Sequence, residues 1–215
     1  MSVRFDKVDR IKIEEPPNPH FVKGDRVHAE ADSFITSASK KEPVISKELK
    51  GVTVRLQFLR KLKAQVERDW AFTKDYTPTS WFGDNAWLRV KTDACAVEPI
   101  EPPLIHIVDW KTGRVYEEHK QQRSLYALAG LQLASLGQIP GATKDSKLVA
   151  AHDYTDTGFT ATETFTPKDL KKLKREWAAR IRGMMNDTRY LAKTGFHCRY
   201  CRFRKSNGGP CQENM

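Results

Sequence analysis

Apolar and polar positions alternate most cleanly over residues 86–97, AWLRVKTDACAV. Ala86, Leu88, Val90, Thr92, Ala94 and Ala96 fall on one face, and Arg89, Lys91, Asp93 and Cys95 on the other. That is the period of two expected of a strand. A shorter strand is expected at 66–72, VERDWAF, with a turn region rich in Pro, Ser, Gly, Asp and Asn between the two. Residues 104–111, LIHIVDWK, are nearly continuously apolar, as befits a strand covered on both faces. KLVAAHDY and FTATETF predict a later pair of strands.

Elsewhere the period lengthens. Between residues 117 and 136, Gln122, Leu125, Tyr126, Ala129, Leu133 and Leu136 form one stripe at helical spacing. Thr166 is placed to cap a long helix with Pro167 at its first position, and Leu170, Leu173, Trp177, Ile181, Met184 and Leu191 make its expected buried face. Near the start, a helix is expected from Phe21 to about Lys40, with His28 and Asp32 one turn apart on one face. A second begins at Ser46, weakened by Gly51 and by β-branched residues. Prolines at 16, 17 and 19 make residues 1–20 a lead-in arm, and the basic stretch 197–215 lacks periodicity. The order of elements predicts an α/β layered domain over 21–196, a central sheet flanked by helices, with a cysteine-containing tail at 197–215.

Composition narrows the partners. With 215 residues, 39% apolar and 30% charged, the chain suits a globular domain with a real core. Its 37 Lys and Arg against 27 Asp and Glu leave +10, which favours a polyanion such as nucleic acid. No stretch approaches the ~18 consecutive apolar residues of a membrane span. The first fifteen residues hold no apolar core of a secretory signal, so a cytoplasmic location with four reduced cysteines is expected.

The strand at 104–111 ends in Asp109, Trp110 and Lys111. Residues two apart in a strand face the same way, about 6.6 Å apart, so Asp109 and Lys111 share a side. Were this strand to pair with its predecessor, Asp93 and Asp109 would converge on a hard divalent cation such as Mg2+ or Mn2+. Lys111 beside it would orient or deprotonate water, or neutralise a phosphate. A surface ion pair at a strand end is the plainer reading of an isolated D-x-K.

Asp93, then Asp109-Trp110-Lys111-Thr112-Gly113, then Gln122-Arg123-Ser124-Leu125-Tyr126 together resemble the PD-(D/E)XK nuclease superfamily. The Q-x-x-x-Y spacing is similar to its RecB-like branch, and His28 within GDRVHAEAD to that branch's helical metal ligand. The resemblance implies a restriction-endonuclease-like core. It implies His28, Asp93, Asp109 and the Trp110 carbonyl as metal ligands, Lys111 as the catalytic lysine, and Gln122 and Tyr126 holding Lys111 or a DNA phosphate. The family's Gly-Arg-x-Asp run is replaced here by RVKTD, leaving Glu67 and Asp84 as rival carboxylates.

The implied activity is a metal-dependent DNA exonuclease of phage or bacterial recombination or repair, acting alone or with a helicase or a single-strand annealing protein. A non-catalytic nucleic-acid-binding module of the same fold is the alternative. Cys198, Cys201 and Cys211 make most of a second site for zinc or, as in some relatives, an iron–sulfur cluster; reduced, unliganded thiols are the alternative. Arg199, Arg202 and Arg204, with Tyr200 and Phe203, would suit a DNA backbone and unstacked bases.

Overall fold

The computed structural model describes residues 9–13, 19–191 and 194–212. Much of the expected N-terminal arm (1–8 and 14–18) and the last three tail residues lie outside those described. The chain divides into two units, one of residues 20–177 and one of residues 1–19 with 178–215.

The larger unit is built on a six-stranded mixed sheet. Its strands are β1 (Gln65–Phe72), β2 (Pro78–Thr79), β3 (Leu88–Glu98), β4 (Leu104–Lys111), β5 (Lys147–Tyr154) and β6 (Phe159–Phe165), in the order β2-β1-β3-β4-β5-β6. Only β4 and β5 run parallel, and α3 (Glu118–Ser135) forms the crossover between them. β3 alternates in burial from Leu88 to Thr92 but is buried on both faces from Asp93 to Ala96, and β4 is buried on both faces.

Each face of the sheet has its own cover. On one, Ala94, Ala96, Val108, Trp110 and Ala151 pack against α1 (Pro19–Thr36) and α2 (Thr53–Lys61) through Val27, Ala31, Phe34, Leu56 and Leu59. On the other lies α3, so close that a Cβ on Gly130 would stand 2.4 Å from Leu148 Cδ1. The Trp177 indole N–H, midway along α4 (Leu170–Met185), donates to Ser124 Oγ of α3 at 3.1 Å.

Three expected helices change at their ends, the last of them, α4, stopping at Met185, short of Leu191. α1 stops at Thr36, not near Lys40. The helix expected from Ser46 opens as a 3-10 turn over Lys47–Val52, and Ser46 caps it only in position, without a side-chain bond. Gly51 within it packs against Gly158, so closely that a Cβ there would meet Gly158 Cα at 2.8 Å. Thr166 and Asp169 form a reciprocal capping box before α4. Of the apolar face expected along α4 and beyond, Leu173 is buried, whereas Met184 and Leu191 are about two-thirds exposed. Amphipathic spacing marks a face available for packing and does not supply the surface that covers it.

In the second unit, short 3-10 turns lie at Phe196–Tyr200 and Lys205–Asn207, and an Arg204–Cys211 bridge closes around the second. Phe203, expected to face nucleic acid, is buried at 3% exposure and its carbonyl accepts from Cys211 N. Among the described residues, no helix is long and apolar enough to cross a membrane.

Candidate active site

Register assembles the site. β1 and β3 pair at Val66–Ala94 and Arg68–Thr92, so Glu67 and Asp93 stand opposite each other. β3 and β4 pair out to Ala94–Val108, and the next step along puts Asp93 beside Asp109. Asp109 is in register with His152 on β5. A row of four polar side chains thus runs across neighbouring strands on one face of the sheet: Glu67, Asp93, Asp109, His152.

The ladder between β3 and β4 ends at this row. Beyond it β3 continues pairing with β1 and β4 with β5, so the two central strands part. The Trp110 N–H donates instead to Asp93 Oδ2, at 2.7 Å. A backbone donor that would pair with a neighbouring strand therefore fixes a carboxylate, which explains how Asp93 is held at 7% exposure. Gly113 then turns the chain away with φ +105°, a conformation L side chains rarely adopt.

Asp109, 4% exposed, is held by three groups. Its Oδ1 accepts from the Tyr126 hydroxyl at 2.5 Å and from Gln122 Nε2 at 3.1 Å, while Lys111 Nζ lies 2.5 Å from Oδ2. Gln122 Nε2 also donates to Tyr126 Oη at 2.6 Å. Gln122 and Tyr126, one turn apart on α3, thus hold Asp109; the sequence had pointed to Lys111 or a phosphate as their partner. Burial and the Asp109 charge push the Tyr126 hydroxyl's pKa well up, so it remains a donor.

From α1, His28 Nδ1 approaches Asp93 Oδ2 at 3.3 Å. Burial works against its protonation, but the Asp93 hydrogen bond and charge, Asp109 and the Trp110 backbone together raise its pKa. Among the described residues, His28, Glu67 and Asp93 form the group whose ligand atoms all lie within 4.8 Å of one another. One imidazole and two carboxylates suit a hard or borderline divalent cation. Asp109 stands next to this group in the row, with its oxygens already engaged.

Glu67 has backbone φ +49°, which costs a non-glycine residue about 1–2 kcal/mol and is often met where function fixes geometry. Lys91 ion-pairs with it. Asp32, one turn past His28 on α1, has its pKa raised to about 6, first by burial and then by Glu67 and Asp93. His28, Asp32, Glu67, Lys91, Asp93 and Thr112 line one cleft of about 570 Å3.

On the far side of Asp109, Arg123 donates to His152 Nδ1 at 3.2 Å, and His119 Nδ1 lies 2.6 Å from the Tyr154 hydroxyl. Burial lowers the His152 pKa to about 4 against the opposing charge of Asp109, with Lys111 and Arg123 adding to the lowering, so the ring is neutral.

Glu67 had a sequence signal, as a carboxylate on its own strand. Asp84 lies in the turn before β3, outside this cleft. Alternation had set Lys91 on the face of Asp93, but its Glu67 partner comes from register, and His152 had no sequence signal for the same reason.

The tail residues belong to the second unit. Cys198, Cys201 and Cys211 are free thiols and do not form a three-ligand group of that kind. Arg199 lies over the Phe196 ring at 5.0 Å and Arg202 over Phe203 at 4.7 Å, while Arg204 donates to the Arg199 carbonyl.

No curated protein matches the chain. Among solved structures, one described as the crystal structure of SSO0001 is similar at 16% identity, covering 76% of this chain and 68% of that one, with a TM-score of 0.37. The family model described as the PD-(D/E)XK nuclease superfamily matches residues 4–206. With that match spanning nearly the whole chain, this protein belongs to the PD-(D/E)XK nuclease superfamily.

Proposed function

We propose that this chain is a Mg2+- or Mn2+-dependent deoxyribonuclease of the RecB-like branch, an exonuclease of phage or bacterial DNA recombination and repair. The observation that carries the reading is the His28, Glu67 and Asp93 group beside the Asp109–Lys111 pair, on adjacent strands that part at that point.

His28, Glu67 and Asp93 would hold the ion, with Asp109 and the Trp110 carbonyl beside it. A divalent cation bound there would stabilise charge building on the phosphate and supply hydroxide near neutral pH. The chain's own groups do the positioning. Trp110 N fixes Asp93, and Tyr126 and Gln122 fix Asp109. Lys111 Nζ, beside Asp109 Oδ2, would orient or deprotonate the attacking water, or neutralise charge on the reacting phosphate. Carboxylates alone would repel the substrate.

DNA is the substrate of this reading, the bacterial or infected-host cytoplasm its location, and a helicase or single-strand annealing protein its partner. Residues 21–196 are the nuclease domain, and the 197–215 tail, through Arg199, Arg202 and Arg204, adds backbone contacts. Zinc or an iron–sulfur cluster at Cys198, Cys201 and Cys211 would require the three thiols to draw together; elemental analysis of the purified protein tests this.

The main test incubates the protein with end-labelled linear DNA and with covalently closed circles, in Mg2+ or Mn2+ and in chelator. An exonuclease degrades only the linear DNA, loses activity in chelator, and loses it with Asp93→Ala. Wild-type cleavage by Asp93→Ala would end the assignment. Cleavage of closed circles would make the enzyme an endonuclease.

A further inference from the structure

One aromatic side chain in the acidic cleft is largely exposed. Phe21 lines the same cleft as His28, Glu67 and Asp93, yet is 73% exposed. It stands on α1 in the series Phe21, Asp25, His28, Asp32, whose spacings of four, three and four keep one helical face, and all four line the cleft. That face leads from the residues of the metal group to an aromatic ring at the mouth. The cleft's volume of about 570 Å3 falls within the ~300–1,000 Å3 typical of small-ligand sites, enough for an unpaired nucleotide.

We propose that Phe21 is a base-stacking residue, and that the strand reaching the metal group passes through this cleft unpaired. The inference rests on the nuclease reading of the same cleft. Away from its ends a duplex covers both faces of every base with neighbouring pairs, so on DNA without ends a protein ring stacks only on a base that is unpaired or flipped. Stacking tolerates every base, since each has a π face, which suits an enzyme that degrades DNA without regard to sequence. It also removes from water a Phe21 ring that is 73% exposed.

The test measures binding, apart from cleavage. A single strand of about 12 nucleotides, within the ~4–16 nucleotide range of single-strand sites, is made with hydrolysis-resistant phosphorothioate linkages and titrated in Mg2+. Closed circular duplex serves as the probe without ends. Phe21→Ala should weaken single-strand binding about tenfold and change duplex binding less than about twofold. Phe21→Trp should restore or tighten single-strand binding. Phe82→Ala, at a residue 89% exposed but outside the cleft, should leave both unchanged. Alanine is the better helix former, so α1 survives the substitution, which an unchanged melting curve verifies.

Equal single-strand affinity of wild type and Phe21→Ala, an equal loss on both probes, or no single-strand binding by wild type overturns the proposal. The nuclease reading fails separately. If wild type binds but cuts no ordinary DNA in Mg2+ or Mn2+, catalysis is refuted while stacking stands. If it cuts and Phe21→Ala binds like wild type, only stacking falls.

Discussion

Tyr126→Phe removes one oxygen from a residue 1% exposed and leaves its ring beside His152, at 6.1 Å between centroids. That oxygen donates to Asp109 Oδ1 at 2.5 Å and accepts from Gln122 Nε2 at 2.6 Å. Asp109 keeps Gln122 at 3.1 Å and Lys111 at 2.5 Å, so it loses one of three partners. A hydrogen bond to a buried charged group contributes about 1.5–3 kcal/mol. At about 2–4 °C per kcal/mol for a chain of this size, the melting midpoint should fall by about 3–12 °C. Each ~1.4 kcal/mol of lost positioning that reaches the transition state slows cleavage about tenfold, so a five- to hundredfold slower rate is expected. Circular dichroism melting in chelator and initial rates on end-labelled DNA read the two effects. Gln122→Met should give a smaller loss. Because both side chains act on the same Asp109 oxygen, the double variant should depart from additivity by about 0.5–3 kcal/mol. A Tyr126→Phe protein that melts and cleaves like wild type would show that the hydroxyl does not restrain Asp109.

Glu67→Gly should lower Mn2+ affinity in calorimetry by about tenfold or more while nearly preserving the melting midpoint, since glycine relieves the φ +49° strain. Wild-type Mn2+ affinity would remove Glu67 from the metal group. Lys111→Ala should lose most cleavage but still bind Mn2+, and Lys111→Arg should not restore activity, since a guanidinium is planar and effectively never deprotonated. Lost metal binding in Lys111→Ala would make the lysine structural. Burial pushes the Cys95 thiol up to about 12, so at pH 8 only roughly one molecule in ten thousand carries its thiolate. Alkylation of the folded protein followed by mass spectrometry should therefore label Cys198, Cys201 and Cys211 and spare Cys95, and rapid labelling at Cys95 would contradict its burial.

Local pattern was enough to locate the chemistry on its elements. The continuous apolar run of β4, the alternation of β3 and the helical stripe of α3 are properties of neighbouring residues. Periods of two and 3.6 therefore set Asp93, Asp109, Lys111, Gln122 and Tyr126 on definite faces before any folding is known. What those faces meet depends on residues distant in the chain. Glu67 joins His28 and Asp93 because β1 pairs with β3 in one register, and a slip of one residue would turn Glu67 to the other face. Gln122 and Tyr126 hold Asp109 because α3 lies on that face of the β4–β5 pair. Met184 and Leu191 carry a buried-helix pattern and still face water, and Phe203 has a tail's sequence yet is buried. Spacing along a chain settles which way a side chain points. Which partner waits there, and whether water is excluded, follows from long-range pairing that only the folded arrangement of strands and helices decides.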